Sequence, residues 1–308
     1  MIPLPSVRFL ALLCGIVIVP AAVKKQAQSA PVLDEAYRES FEKWKANLVE
    51  DRRQNWLTLV GLFWLKPGEN TFGSDSTNAL VLPAGTAPGK AGAFNLQGKN
   101  VSIAFRDGVA GKVGGAPVAT AHLDPDVSGH PTVVELGSLR MHMIQRGDRC
   151  GIRVKDVKSP AAEQYRGATF YPLSATYTID AQWIPGDGKR TVVVPNVLGD
   201  ATTTPVVGEA RFRLDGQEVR LSAVGGDPEH GLFIIFNDMT RKTDTYPAGR
   251  FLETEPVKDG KVVLDFNRAY NPPCSVTPYA TCPLPPKEDQ LTVSIPAGEK
   301  YDHSQKHP

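Results

Sequence analysis

Asp265, Asn267, Arg268, Tyr270 and Asn271 crowd into seven residues and run straight into Pro272, Pro273 and Cys274. A carboxylate, two amides, a guanidinium and a phenol at that density can orient a polar ligand or serve as acid and base. Tyr246 and Arg250 precede them, with Asp238 and Thr240 further upstream, all near expected strand ends. The candidate ligand-binding residues are therefore Tyr246, Arg250, Asp265, Asn267, Arg268, Tyr270 and Asn271. The same set has a scaffold reading, in which Arg250 and Asp265 form an ion pair that locks a sheet and Asn271 caps the turn. Both readings stand at the level of sequence, and no catalytic residue is assigned.

Cys274 and Cys282 flank a seven-residue loop that ends in Pro283, Pro285 and Pro286. Consecutive prolines remove backbone donors and fix φ, so the strand pattern stops here. A Cys274–Cys282 disulfide is expected if the compartment is oxidising, and it should stabilise by roughly 2–3 kcal/mol in the chain-entropy picture. A thiolate metal site would need two further ligands, and no histidine lies near the pair. Cys150 reads as a small residue in a polar turn. His122 and His130 flank Asp124 and Asp126, a composition that suits a solvated turn as well as a cation, and His142 and His230 read as surface residues. Gly85 to Lys90 has the wrong spacing for a phosphate loop, with Ala91 where a hydroxyl is needed. No nucleophile elbow, zinc-helix or EF-hand pattern occurs. No metal and no organic cofactor are expected.

These side chains need strands to hold them. Val262, Leu264 and Phe266 share one face of a strand over Lys261 to Phe266, so Asp265 and Asn267 point the other way. Asp215-Gly216 and Asp259-Gly260 are hairpin turn pairs. Around the first, Phe212, Leu214, Val219 and Leu221 should face inward. Gly231 to Phe236 is apolar on both faces, as a central strand is, and Leu291 to Ile295 reads as the last strand. Upstream, Trp56 to Val60 and Leu62 to Leu65 read as one strand broken at Gly61, and Leu139, Met141 and Met143 alternate onto one face. One helix precedes all of this, with Tyr37, Phe41, Trp44 and Leu48 forming its apolar stripe and Asp34 its cap. The expected organisation is a signal peptide over 1–29, a helix in 30–55, a first β block over 56–160, a second over 161–300, and a disordered tail over 301–308.

The export reading comes from Arg8, the uncharged apolar run Phe9 to Val19, and small residues at Ala27 and Ser29. The run is short of the ~20 residues a spanning helix needs. Losing Arg8, Lys24 and Lys25 leaves 31 basic residues against 33 acidic ones. No basic run interleaves with aromatics, so nucleic acid is not an expected partner. Nor is a membrane, once the signal is removed. The expected location is periplasmic or extracellular.

Residues 45–300 as a whole resemble a bacterial domain family of unknown function, often carried by exported proteins. The resemblance rests on Trp56 to Leu65, Gly68 to Asp75, Val154 to Asp156, Val194 to Gly199, Ala248 to Leu252, Asp265 to Cys274 and Thr277 to Pro286. It implies no activity, and Cys150 stands where an aromatic residue is expected. Leu65 to Leu82 is also similar to the opening of a forkhead-associated domain, which implies a β-sandwich. The phosphothreonine-reading residues of that fold are missing. Ser74 replaces its arginine, and Gly89 to Gly92 replaces its serine-arginine-x-histidine run, removing the bidentate grip on phosphate. The fold class expected is mainly β: an N-terminal helix, a forkhead-associated-like sandwich, then an antiparallel sandwich or barrel. The function expected is binding of a small or extended polar ligand at the second block. One alternative is a cofactor-independent hydrolase using Asp265 with a neighbouring acid or His230. The other is a protein-interaction module whose cue is an exposed Trp64 strand.

Overall fold

The computed structural model describes residues 33–304. The expected signal peptide and the tail residues 305–308 lie outside the described residues. Helix α1, Glu35–Asp51, begins where Asp34 accepts the Tyr37 N–H at 2.8 Å. Phe41 and Leu48 are buried on its inner face. The helix does not stop at Asp51 but widens into a π-turn, Arg52–Trp56. Trp56, expected in a strand, belongs to this turn. Arg52, the first residue of this turn, is only 1% exposed. Such wide turns are frequent at functional sites.

The chain is mainly β. Two sheets share the first core. One has six strands, with Leu59–Trp64, Arg149–Asp156, Leu139–Arg146 and Val134–Leu136 adjacent in that order. The other has five, centred on Gly68–Gly73, Gly92–Gln97 and Asn100–Phe105. Phe72, Phe94 and Ile103 from one sheet meet Met141, Met143 and Ile152 from the other. A bulge between Leu59 and Gly61 breaks the first strand's register at the glycine. Cys150 is not in a polar turn: it is 2% exposed, inside the strand Arg149–Asp156, and packs in this core. Trp64 is half-buried, and the Arg149 guanidinium lies 4.5 Å from its ring centroid.

Pro160 opens a short helix α2, Pro160–Gln164. A second six-stranded antiparallel sheet follows, ordered Arg250–Glu253, Gly231–Phe236, Gln217–Asp227, Gly208–Leu214, Thr178–Pro185, Lys261–Asp265. The hairpin of Gly208–Leu214 and Gln217–Asp227 turns at Asp215-Gly216, and Asp259-Gly260 makes a local turn closed by Lys258 and Lys261 between strands at opposite edges of the sheet; both residues of each pair have positive φ. In the hairpin, that is the turn whose twist matches the flanking strands. Phe212, Leu214, Val219 and Leu221 are buried beneath the sheet. The sheet then curls on itself. Tyr270, just past the last strand, exchanges backbone hydrogen bonds of 3.0 and 2.8 Å with Phe251 in the strand at the opposite end. This pairing joins the two ends of the sheet.

Leu291 to Ile295 is not a strand. Val293, Ile295 and Ala297 are buried in the core, but no ladder forms. The Arg250 side chain donates to the carbonyls of Ile295 and Ala297. On the outer face of the sheet a third apolar cluster collects Leu48, Ile235, Tyr246, Phe251, Tyr270, Cys274 and Cys282, with Trp44 and Trp56 packed against it.

Candidate functional site

The signature residues occupy several distinct networks. Arg250 pairs with Asp238 at 2.6 Å, both side chains essentially buried, and its guanidinium lies 4.9 Å from the Phe236 ring centroid. The expected Arg250–Asp265 pair is not formed. Asp265 instead accepts from the Tyr37 hydroxyl at 2.9 Å and the Asn267 amide at 3.1 Å, and pairs with Arg268 at 3.1 Å. Burial and the Asp265 charge together push the Tyr37 phenol up to about 12. Arg268 also donates to Ser40 at 2.7 Å, so this knot fastens helix α1 to the end of the sheet. No hydrogen bond or ion pair joins Asp265 to another carboxyl group or to His230 among the described residues. His230 is exposed and bonds to Asp227 at 2.9 Å.

Tyr270 donates to Glu253 at 2.6 Å and packs its ring between Trp44, Trp56 and Phe251. Tyr246 donates to the Cys274 carbonyl at 3.1 Å, and its ring meets Tyr301 edge-on at 4.9 Å. Tyr301, expected in a disordered tail, is therefore docked. Cys274 and Cys282 are buried free thiols, with the Cys274 N–H donating to Cys282 Sγ at 3.2 Å. The Cys282 thiol holds Cys274 below the ordinary thiol value and is itself pushed up by the same contact and by burial.

Asn271 faces a cavity of about 530 Å³. Its wall was not foreseen. Arg52, from the π-turn, donates from Nη1 to Glu299 Oε1 at 2.7 Å and Tyr165 at 2.8 Å, and from Nη2 to Glu299 Oε2 at 2.6 Å and the Asn271 carbonyl at 3.2 Å. Burial opposes the Arg52 charge, and the Glu299 carboxylate more than offsets this, holding the guanidinium above its ordinary value. The Asn271 N–H also donates to Glu299, at 2.7 Å. Gly298 makes the approach possible. Its φ is +80°, and a Cβ there would stand 2.5 Å from the Ala269 carbonyl oxygen.

Two atoms on this wall have no partner. Asn271 Nδ2 donates to the Lys300 carbonyl at 3.0 Å, but its Oδ1 accepts nothing, and Arg52 Nε donates to nothing. Both residues are 2% exposed or less. A buried unpartnered polar atom costs about 1–3 kcal/mol, so the packing behind this wall leaves one acceptor and one donor unsatisfied. The rest of the lining includes Tyr165, Ser275 and Tyr301. Among the described residues no group of His, Cys, Asp and Glu is arranged to hold a metal ion. In the loop between His122 and His130, Arg146 pairs with Asp126 at 2.7 Å and Thr132 bonds to Asp124 at 3.1 Å.

Residues 163–300 match the family described as protein of unknown function (DUF1684). That span holds the second sheet, the signature and most of the polar cavity. No curated protein matches the chain. Among solved structures, an uncharacterized protein of Haloarcula marismortui is similar at 29% identity, over 46% of this chain and 80% of that one, with a TM-score of 0.39. A forkhead-associated domain studied for phosphothreonine-dependent interactions is similar at 19% identity, over 32% of this chain and 96% of its own, with a TM-score of 0.23. The FhaA forkhead-associated domain, in complex with an intracellular domain, is similar at 18% identity over 30% and 97%, with a TM-score of 0.22.

Proposed function

We propose that this is an exported protein that binds a small polyhydroxylated ligand in the cavity beside Asn271, at the edge of the second β block. The observation that carries the reading is a cavity of about 530 Å³ lined by Tyr165, Asn271, Ser275 and Tyr301, whose Arg52 and Glu299 charges neutralise each other in the wall. Hydroxyls both donate and accept, so they suit a lining of phenol, amide and hydroxyl groups whose buried ion pair leaves no net charge to match. Tyr165 and Tyr301 add aromatic surface of the kind sugar rings pack against. Export is supported by the N-terminal apolar run and its small-residue site. In an oxidising compartment the neighbouring Cys274 and Cys282 thiols would join, bracing the loop that carries Ser275 into the cavity.

The test is a thermal-shift screen of the mature protein, residues 30–308, against periplasmic sugars, polyols and glycans. A ligand present at one hundred times its Kd stabilises by about 2.7 kcal/mol, a shift of several degrees for a chain of this size. The expected result is at least one such hit that Asn271→Ala abolishes. No stabilisation by any compound, or equal stabilisation of the variant, refutes the proposal.

A further inference from the structure

A second group of side chains, on the outer face of the sandwich, is used by none of these networks. On the strand Arg149–Asp156, Ile152 and Val154 face the core. Arg153 and Lys155 therefore point outward. His142 stands directly opposite Arg153 on the strand Leu139–Arg146, and Leu59 stands opposite Lys155 on the other side. These four residues line a cleft of about 360 Å³, whose lining is completed by Pro273, Ala280 to Pro283 of the cysteine loop, and by Trp56 and Phe251.

The cleft holds positive charge without a partner. Arg153 Nη2 donates to Thr281 Oγ1 at 3.2 Å, and its buried Nε has no partner. Lys155 donates to the Asn55 side-chain oxygen at 3.1 Å. Both acceptors are neutral, and among the described residues no carboxylate forms an ion pair with either cation. Nearby basic residues outside the cleft are different: Arg140 pairs with Glu135 at 3.1 Å and Arg146 with Asp126 at 2.7 Å. Half-buried cations are normally paired or hydrogen-bonded through all their donors.

We propose that this cleft binds a small carboxylic acid, with the carboxylate on Arg153 and Lys155 and the apolar body against Trp56, Leu59 and Phe251. Burial lowers the pKa of Arg153, and burial and the Arg153 charge lower that of Lys155. An anion in the cleft relieves both effects. Burial and the Arg153 charge push His142 down to about 4, so it stays neutral near pH 7 and adds a hydrogen-bonding group without adding charge. The fields of Asp126 on Arg153 and Asp51 on Lys155 offset part of the positive potential, which favours a monoanion over a phosphate dianion. Pockets for small molecules commonly combine an apolar lining with a few convergent polar groups. This site is separate from the polar cavity and does not depend on it.

Calorimetric titration of the mature protein with phenylacetate, acetate, 2-phenylethanol and inorganic phosphate tests the assignment. Phenylacetate is expected to bind roughly tenfold or more tightly than either acetate, which lacks the apolar body, or 2-phenylethanol, which lacks the charge. Arg153→Gln should weaken phenylacetate roughly tenfold or more while leaving 2-phenylethanol unchanged. Lys155→Gln, at a more exposed position in the same wall, should weaken it in the same direction and decides the matter if the arginine variant does not fold. Tighter binding of phosphate, equal binding of the acid and the alcohol, unchanged affinity in the variants, or no binding of phenylacetate would each overturn the proposal.

Discussion

Glu299→Gln isolates the contribution of the network behind the polar cavity. Glu299 takes both terminal nitrogens of Arg52, at 2.7 and 2.6 Å, and the Asn271 N–H at 2.7 Å. Arg52 is 1% exposed and Glu299 4%. Glutamine keeps the volume and one acceptor oxygen, but turns an NH2 toward groups that are themselves donors. The guanidinium is then buried with no counter-charge. Removing one member of a buried pair costs about 3–5 kcal/mol, because the surviving charge has lost its compensation. Replacing both members, Arg52→Met with Glu299→Leu, removes the desolvation of two charges together and keeps apolar contact with Trp56. The double variant should therefore recover at least ~2 kcal/mol of the single variant's loss. Recovery stays incomplete because the Asn271 N–H and the Tyr165 hydroxyl lose their partners. Urea unfolding followed by midpoint and slope gives these differences directly, provided the slope is unchanged. A loss below about 1 kcal/mol for Glu299→Gln, or a double variant less stable than the single one, refutes the reasoning.

Asp289 supplies a pH-dependent counterpart. Burial, with a smaller push from Glu288, raises its pKa to about 7, and its Oδ2 has no partner. Between its unfolded value near 4 and pH 7 the native state holds a proton that the unfolded state has lost, so stability falls as pH rises through that window, by up to about 4 kcal/mol. Asp289→Asn should flatten that slope in a thermal-melt series from pH 4 to 8, and an unchanged slope rejects the assignment. Tyr37→Phe removes a hydroxyl donated to the Asp265 carboxylate and should cost ~1.5–3 kcal/mol. Limited proteolysis should then cleave helix α1 sooner, and wild-type resistance would count against the anchoring role. If the protein is exported to an oxidising compartment, alkylation after denaturation without reduction, read by mass spectrometry, should label Cys150 and spare Cys274 and Cys282. Labelling of all three would show that the pair stays reduced.

The parts of the fold that are legible in the sequence are those fixed by local rules. Asp215-Gly216 and Asp259-Gly260 announce their tight turns because few residues tolerate two successive positive φ values. Leu139, Met141 and Met143 mark an inward face because a strand alternates, and Tyr37, Phe41, Trp44 and Leu48 mark a helix because their spacing follows its turn. The polar networks obey no local rule. Arg52 and Glu299 are 247 residues apart, and nothing near either predicts the other. Asp238 lies only twelve residues from Arg250, yet the strand pattern offers Asp265 as an equally good partner. Leu291 to Ile295 has a strand's composition but forms no ladder, and its backbone partners are scattered: the Val293 carbonyl takes the Met239 N–H and the Ile295 carbonyl takes the Arg250 side chain. Nothing near Arg153 or Lys155 in the chain announces their cleft, because Thr281 lies 128 residues after the first and Asn55 lies 100 residues before the second.

The density of polar residues after Lys261 is explained first by closure. A curled sheet must join its first and last strands, and here the joint is Tyr270 against Phe251. The chain leaving that joint has to cross a corner where no further strand can satisfy its backbone, so side chains do it instead. Asn267 bonds to both the N–H and the carbonyl of Ser174, Glu299 takes the Asn271 N–H, and Arg250 takes two carbonyls of the returning segment. Each of these roles consumes hydrogen-bonding capacity, which is why most of the polar side chains from Asp265 to Tyr270 are engaged, while Asn271 and the cysteine loop border open space. The two cavities lie on either side of this corner. Arg52 lines the polar one, Trp56 lines the basic one, and the guanidinium lies 5.0 Å from the indole centroid. The cysteine loop divides in the same way, with Ser275 on the polar side and Ala280 to Pro283 on the basic side. One rigid wall therefore has two unsatisfied faces, a neutral hydrogen-bonding face and a cationic face. The two sides differ electrostatically because the charge of Arg52 is neutralised within the wall by Glu299, whereas among the described residues no carboxylate forms an ion pair with Arg153, and that difference is why the two proposals call for ligands of different chemistry.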